Sequence, residues 1–440
     1  MLDESLLDAP EALARADVRG LLRATAESGA RVRAAARHAA EAGVPELRPD
    51  GRPRGVLVAG PGAAGSCTAD LLAALSGGVC PITLIGPTGV APAPGALRWT
   101  LPGWAGPLDL LLIATPDGTE PGLPSLVEQA YRRGCSIAAV TPARSPLTDA
   151  VAQARGLAVP LAASPYATEP YATAPYDTEE AEPPQPPVAG AVDAPAPGTP
   201  GEAEPGEAAE RPRHPEHPGT GHAADPTGTA PDEVTGPALP GTLWALLTPL
   251  LALVDRIGLI EASPAALAQV ADRLDQVAER CGPAIETYTN PAKTLAAELA
   301  GALPLVWTEG PVAGAAGRRF AGLLAALAGR PALAAELPGA LAAHGALLAG
   351  AFAGGADPDD FFRDRVEEPE ALHARIVLFR DHPVGATSAV HTARELALVH
   401  DTPVSELEPA DGGRLETAAE LLAIADFAAV YLAIASAERS

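Results

Sequence analysis

Two kinds of apolar pattern alternate along this chain. Short, nearly continuous apolar runs are separated by longer stretches in which apolar residues recur every three or four positions. In the first block, two helical patterns at 8–25 and 28–42 come first. GVLVAG then reads as a buried strand, SCTADLLAALSG as a helix, and PITLIGP and LDLLLIATP as strands. PSLVEQAYRRG reads as a helix closed by Gly134, SIAAVTP as a strand, SPLTDAVAQARG as a helix and LAVPLA as a strand. The second block opens with helices at 243–260 and 264–280, and a helix at 291–302 follows. The alternation then resumes through LPLVWTEG, RRFAGLLAALAG, PALAAEL and ALAAHGALLAG. After a polar insertion, GGADPDDFFRDRVEEPEAL, it continues through ARIVLFRD, SAVHTARELALVH and TPVSELEP to a long final helix at 414–436. Apolar strands without alternation, set between amphipathic helices, fit a parallel sheet covered on both faces. The pattern predicts an α/β protein of two similarly planned blocks, which suggests a duplication.

Composition divides the chain into 1–163, 164–240 and 241–440. The middle segment holds 18 of the 48 prolines, and 14 acidic residues against two arginines. It contains PYATEPYATAPYDTE and almost no large aliphatic residue. Such a stretch buries too little apolar surface to offset the entropy of ordering, so it is expected to be a disordered, extended linker. The alternative is an acidic arm that docks a partner.

The formal net charge of −25 argues against nucleic acid and anionic membrane surfaces as partners. A phosphorylated ligand would need locally placed Arg or backbone N–H groups. Cys67, Cys80, Cys135 and Cys281 form no C-x-x-C pair and join no His cluster, so neither a metal site nor a disulfide framework is expected. Scattered cysteines fit a reducing cytoplasm, and the N-terminus shows no signal-peptide pattern. The apolar run 243–260 contains Pro249 and reaches Asp255, which fits a core helix better than a membrane span.

In an open parallel sheet, ligands sit at the carboxyl ends of the strands. That rule selects AGPGAAGS at 59–66, where Gly60, Gly62 and Gly65 allow close backbone approach and Ser66 offers a hydroxyl. No acidic residue ends the following strand to bind a ribose, which weakens a dinucleotide reading. In ATPDGTEPG at 114–122, Thr115, Thr119 and the Gly118 amide could form a small anion nest, opposed by Asp117 and Glu120. An ordinary Pro/Gly turn fits as well. In the second block, Glu309 and Glu336 fall at strand ends, Arg318 and Arg319 open a helix, and His344 follows. A carboxylate base, an Arg facing an enediolate oxygen and a ring-opening His could together move a proton beside a carbonyl. For each alone, a solvated charge or capped turn is the plainer reading. Lys293, the single lysine, sits in the first turn of a helix that Asn290 and Pro291 announce. A cation there opposes the helix dipole. Lys293 therefore either pairs with a carboxylate such as Glu286 or helps hold an anion.

Several of these stretches resemble the SIS-domain family of bifunctional phosphoglucose/phosphomannose isomerases. They are MLDESLLDAPEALARADVRGLL, VLVAGPGAAGS, DLLLIATPDGTEPGL, NPAKTLAAELAGALPLVW, AELP, IVLFRD and LLAIADFAAVYLA, in that order along the chain. The resemblance covers both blocks and omits the linker. It implies two flavodoxin-like SIS domains, a cytoplasmic homodimer with the site at its interface, and hexose 6-phosphate ligands. The implied reaction interconverts glucose or mannose 6-phosphate with fructose 6-phosphate through a cis-enediolate, without metal or other cofactor. By the same resemblance Arg318 lies near the enediolate, and Gly60, Gly62, Gly118 and Thr119 match substrate-loop positions. The chain departs from the family in its phosphate loop, where Pro116 and Gly118 stand in place of the family's Ser and Asn and Asp117 brings a negative charge. The family's Glu base after AELP is also missing, as is its Lys beyond VYLA. Glu336, His344 and His382 of RDHP are the nearest candidates for the lost chemistry. A sensor or accessory subunit that keeps the fold without catalysis is the rival reading.

Overall fold

The computed structural model describes residues 4–49, 51–88, 97–161, 240–350 and 372–437. The expected linker at 164–240 and the polar insertion lie almost wholly outside these residues. The described parts of both blocks form one compact unit.

The first pattern, 8–25, is broken in the structure. After α1 (Glu4–Leu7) come α2 (Pro10–Ala16), α3 (Leu21–Ala26) and α4 (Ser28–Glu41). Asp17 explains the break. Its carboxylate accepts the amides of Leu21 and Leu22 at 2.7 and 2.8 Å, so a new helix starts there, with Gly20 left-handed at φ 63°.

The first sheet holds β1 (Gly55–Ala59), β2 (Ile82–Ile85), β3 (Asp109–Ala114), β4 (Ser136–Thr141) and β5 (Leu157–Pro160). All pairs are parallel, in the order β2-β1-β3-β4-β5. Helices α5 (Gly62–Ser76), α6 (Gly122–Arg132) and α7 (Pro146–Gln153) connect them. Strands β1 and β3 are buried along their whole length, as their unbroken apolar runs require.

Helices α8 (Thr242–Arg256), α9 (Pro264–Arg280) and α10 (Pro291–Glu298) lead into the second sheet. Its strands are β6 (Ala302–Glu309), β7 (Leu333–Glu336), β8 (His373–Arg380) and β9 (Val404–Leu407), all parallel, in the order β7-β6-β8-β9. This repeats the first four places of the first sheet, so the two blocks share a plan. Helices α11 (Pro311–Ala328), α12 (Gly339–Ala349), α13 (Val390–Val399) and α14 (Arg414–Ala437) complete it.

Alternate residues of β6 serve opposite faces. Val306 joins the large core with Phe320 of α11, whereas Trp307 packs with Ala340 and Leu348 of α12. The large core runs through both blocks, and α14 lies within it. That helix is long and apolar enough to span a membrane by composition, yet 94% of its most apolar window is buried in the protein. It is a core helix shared by both blocks, and α8 is buried in the same cluster.

Candidate active site

The carboxyl ends of the two sheets hold the candidate residues, and several backbone amides there are engaged by the chain's own side chains. In the first sheet, Gly60 and Gly65 let the β1–α5 turn close on the end of β3. A Cβ on Gly60 would stand 2.2 Å from the Ala114 carbonyl oxygen, and one on Gly65 2.8 Å from that of Gly60. Gly62 is left-handed at φ 67°. The Ser66 hydroxyl donates to the Ala63 carbonyl at 3.1 Å, so it belongs to the first turn of α5 rather than to an open loop.

After β3, the Gly118 amide donates to the Thr115 hydroxyl at 3.2 Å, and the Thr119 amide to the Asp117 carboxylate at 3.0 Å. Gly118 sits at φ 66°, its Cα so close to Thr141 and Ser145 that a Cβ would lie 2.3 Å from the Thr141 hydroxyl. The two amides expected to face an anion are thus engaged within the loop, Gly118 by the Thr115 hydroxyl and Thr119 by the Asp117 carboxylate. Burial raises the Glu120 carboxyl above its ordinary range, and Asp117 adds to the effect.

In the second sheet two strand ends exchange their caps. Gly310 and Ala389, the N-caps of α11 and α13, supply no capping side chain. Asp381, just beyond β8, accepts the Val312 and Ala313 amides at 2.7 and 3.2 Å and so caps α11. Glu309, the last residue of β6, accepts the Ala389 amide at 2.8 Å and so caps α13. The Ser388 hydroxyl lies 2.9 and 2.7 Å from the two Glu309 oxygens. Gly310, at φ 102°, leaves room for Asp381; a Cβ there would collide with that carboxylate. His382 stands between the two acids. Its Nδ1 is 2.7 Å from Asp381 Oδ1, and its Nε2 is 3.8 Å from Glu309 Oε2. The ring is 51% exposed and Glu309 only 13%, so the imidazole faces solvent over a sheltered carboxylate.

Arg318 and Glu336 do meet. Arg318 Nη1 donates to Glu336 at 2.8 Å and its Nε to Asp70 of α5 at 2.8 Å, tying the two blocks together. Burial works against its charge, but the two carboxylates outweigh burial and hold the guanidinium above its ordinary range. Gly314, one turn after Gly310, allows the approach; a Cβ there would lie 2.7 Å from Glu336 Oε1.

His344 does not join them. It is buried under the opposite face of the sheet, where its Nδ1 accepts the Trp307 indole N–H at 2.9 Å. Burial lowers its pKa, and the bond leaves the proton on Nε2. The sequence expectation of one Arg–Glu–His set is therefore corrected, because the β6 pleat turns Trp307 and its partner away from α11.

Two basic residues have roles that the sequence did not reveal. Lys293 is fully buried, and backbone carbonyls rather than Glu286 are its partners. Its Nζ donates to the carbonyls of Leu7, Pro283 and Ile285 at 2.5, 2.8 and 2.7 Å, and sits 5.6 Å from the centre of the Tyr431 ring. Arg319, next to Arg318, points inward and forms a two-point ion pair with Asp426 of α14 at 2.9 and 2.7 Å. Among the described residues no group of three or more His, Cys, Asp or Glu is placed to hold a metal ion. All four cysteines are free and buried, and burial pushes the Cys67 thiol up to about 12.

Two parallel sheets of matching strand order, with helices packed on them, define a doubly wound α/β protein. Residues 288–437, about a third of the chain, match the bacterial phospho-glucose isomerase C-terminal SIS domain family. No curated protein matches it in sequence. Among solved structures, one from Clostridium difficile 630, provisionally described as a phosphosugar isomerase, aligns at a TM-score of 0.50 with 10% identity. That alignment covers 95% of this chain and 93% of the other. A glucose-6-phosphate isomerase-like protein of Thermus thermophilus aligns at 0.41 with 16% identity, covering 88% and 83%. Tagatose-6-phosphate ketose/aldose isomerase of Escherichia coli aligns at 0.49 with 14% identity, covering 94% and 90%.

Proposed function

We propose that this protein is a sugar-phosphate aldose–ketose isomerase, interconverting glucose or mannose 6-phosphate with fructose 6-phosphate through an enediolate. The observation that carries the reading is the carboxyl edge of the second sheet, inside the region matching the isomerase C-terminal domain. There an exposed imidazole stands between two carboxylates at the start of α11, and the half-exposed Arg318 lies further along the same helix. Such an edge can exchange a proton on carbon and balance charge on the adjacent oxygen without redox chemistry. Arg318 faces the developing enediolate, and Glu336 and Asp70 set its direction. Thr115, Gly118 and Thr119, with Gly60, Gly62 and Ser66, line the substrate end of the first sheet. A phosphate there must displace Asp117 from the Thr119 amide, which favours weak ground-state binding. The working form is a cytoplasmic homodimer.

The test is deuterium exchange at C2 of glucose 6-phosphate and mannose 6-phosphate in D₂O, followed by NMR. Protein-dependent uptake, or formation of the ketose, is expected. Binding of the hexose 6-phosphates with neither uptake nor ketose would refute the reading.

A further inference from the structure

We propose that Asp381, His382 and Glu309 form the proton relay of this site, with His382 Nε2 as the atom that removes the C2 proton. The inference rests on the isomerase reading and names the base within it.

Geometry separates His382 from the other candidates. His344 has its Nδ1 engaged by Trp307 and lies beneath the other face of the sheet. Glu336 is held by Arg318, which neutralises it. Of these candidates, His382 alone combines an exposed ring at a strand's carboxyl end with a carboxylate fixed behind it. Asp381 cannot turn away, because its other oxygen accepts the Val312 and Ala313 amides. It therefore keeps the His382 proton on Nδ1 and leaves a lone pair on Nε2. Glu309 is fixed in the same way by Ser388 and Ala389, so the 3.8 Å gap between Nε2 and Glu309 Oε2 joins two anchored groups. The gap is too long for a direct hydrogen bond and suits a substrate hydroxyl bridging the two.

The step balances with no further reactant. In the open-chain aldose, Nε2 takes the proton from C2, and the electron pair of that bond forms the C1–C2 double bond. The C1 carbonyl oxygen becomes the enediolate oxygen and faces Arg318. Glu309 takes the proton from the O2 hydroxyl and delivers it to O1. The imidazolium returns its proton to C1, and O2 becomes the ketose carbonyl. Asp381 is a positioning residue that holds the imidazolium throughout.

The test uses the full-length protein with glucose 6-phosphate and mannose 6-phosphate. His382→Gln should lower C2 exchange at least about 100-fold, with hexose 6-phosphate binding kept within a few fold. His391→Gln, on the exposed face of α13, is the control and should exchange as the parent does. Asp381→Asn retains an acceptor for α11 but favours the wrong tautomer. It should lower kcat more than it raises KM and move the acidic limb of the pH profile. A 1,2-anhydrohexitol 6-phosphate reads the position without turnover: Nε2 attacks the epoxide carbon, the C–O bond opens, and the adduct should map to His382. Exchange persisting in His382→Gln, or an adduct elsewhere, overturns the relay while the isomerase reading stands. Absence of both exchange and ketose formation in the parent protein overturns both.

Discussion

Lys293→Met removes one ammonium and keeps most of the side chain's volume. The replaced group donates to three backbone carbonyls in a fully buried site, so three acceptors lose their donor together. A buried, unsatisfied polar group costs about 1–3 kcal/mol. At the low end, for carbonyls that relax slightly, three of them cost about 3 kcal/mol. Loss of the contact with Tyr431 adds roughly 1–2 kcal/mol. Removing the charge recovers several kcal/mol of ion desolvation in the opposite direction, though three well-placed carbonyls already repay much of it. The net expectation is a loss of about 2–4 kcal/mol. The loss should also be local first, because the Leu7 carbonyl belongs to the N-terminal segment and the other two to the turn before α10. Asp8 adds a second tie there, accepting the Thr287 amide and hydroxyl at 2.8 Å each. The assay is urea denaturation combined with limited proteolysis. The midpoint should fall, and cleavage within residues 4–16 should appear below the main transition. A midpoint unchanged to within about 0.5 kcal/mol, with no new cleavage, would refute the staple reading.

Two further predictions concern buried polar groups. Arg319→Met leaves Asp426 charged and unpaired inside the shared core, and should cost about 3–5 kcal/mol; adding Asp426→Leu should return most of it, measured as coupling in a double-mutant cycle. His344 carries a pKa below its ordinary 6.5 because of burial, so below that pH the unfolded chain binds a proton that the folded chain refuses. Its contribution to stability is therefore lost as pH falls from about 6.5 toward the lower folded value. His344→Gln keeps an acceptor for Trp307 and should flatten the urea midpoint's pH dependence between pH 7 and 5; an unchanged slope would assign that dependence to other groups.

Most of the architecture was legible in the sequence, because its signals are local. Asn290 before Pro291 marked the start of α10, and the structure shows the Asn290 side chain accepting first-turn amides. The helices that began earlier than read, α5 and α11, open with small residues, GAAGS and PVAGAAG. These look like loop in composition, but they serve close helix–strand contact. A Cβ on Gly317 would lie 2.5 Å from Thr308 Cγ2. The site was less legible because its partners are remote and partly backbone. Glu309 and Ala389 are 80 residues apart, and Val312 and Asp381 are 69 apart. Nothing in a pattern of side chains marks three carbonyls as the partners of Lys293. His344 was misplaced for a different reason. Its distance along the chain from Glu336 was short, but the pleat of β6 decided which face of the sheet it would meet.

The exchange of caps between β6 and β8 bears on how this half of the molecule can be re-engineered or can diverge. A βα turn is ordinarily a separable module, open to grafting so long as its own helix start is preserved. Here each helix start depends on a residue contributed by the other turn. Shortening the segment after β8 would unsettle α11, and altering the end of β6 would unsettle α13. The two turns form one heritable unit, to be transplanted together or not at all.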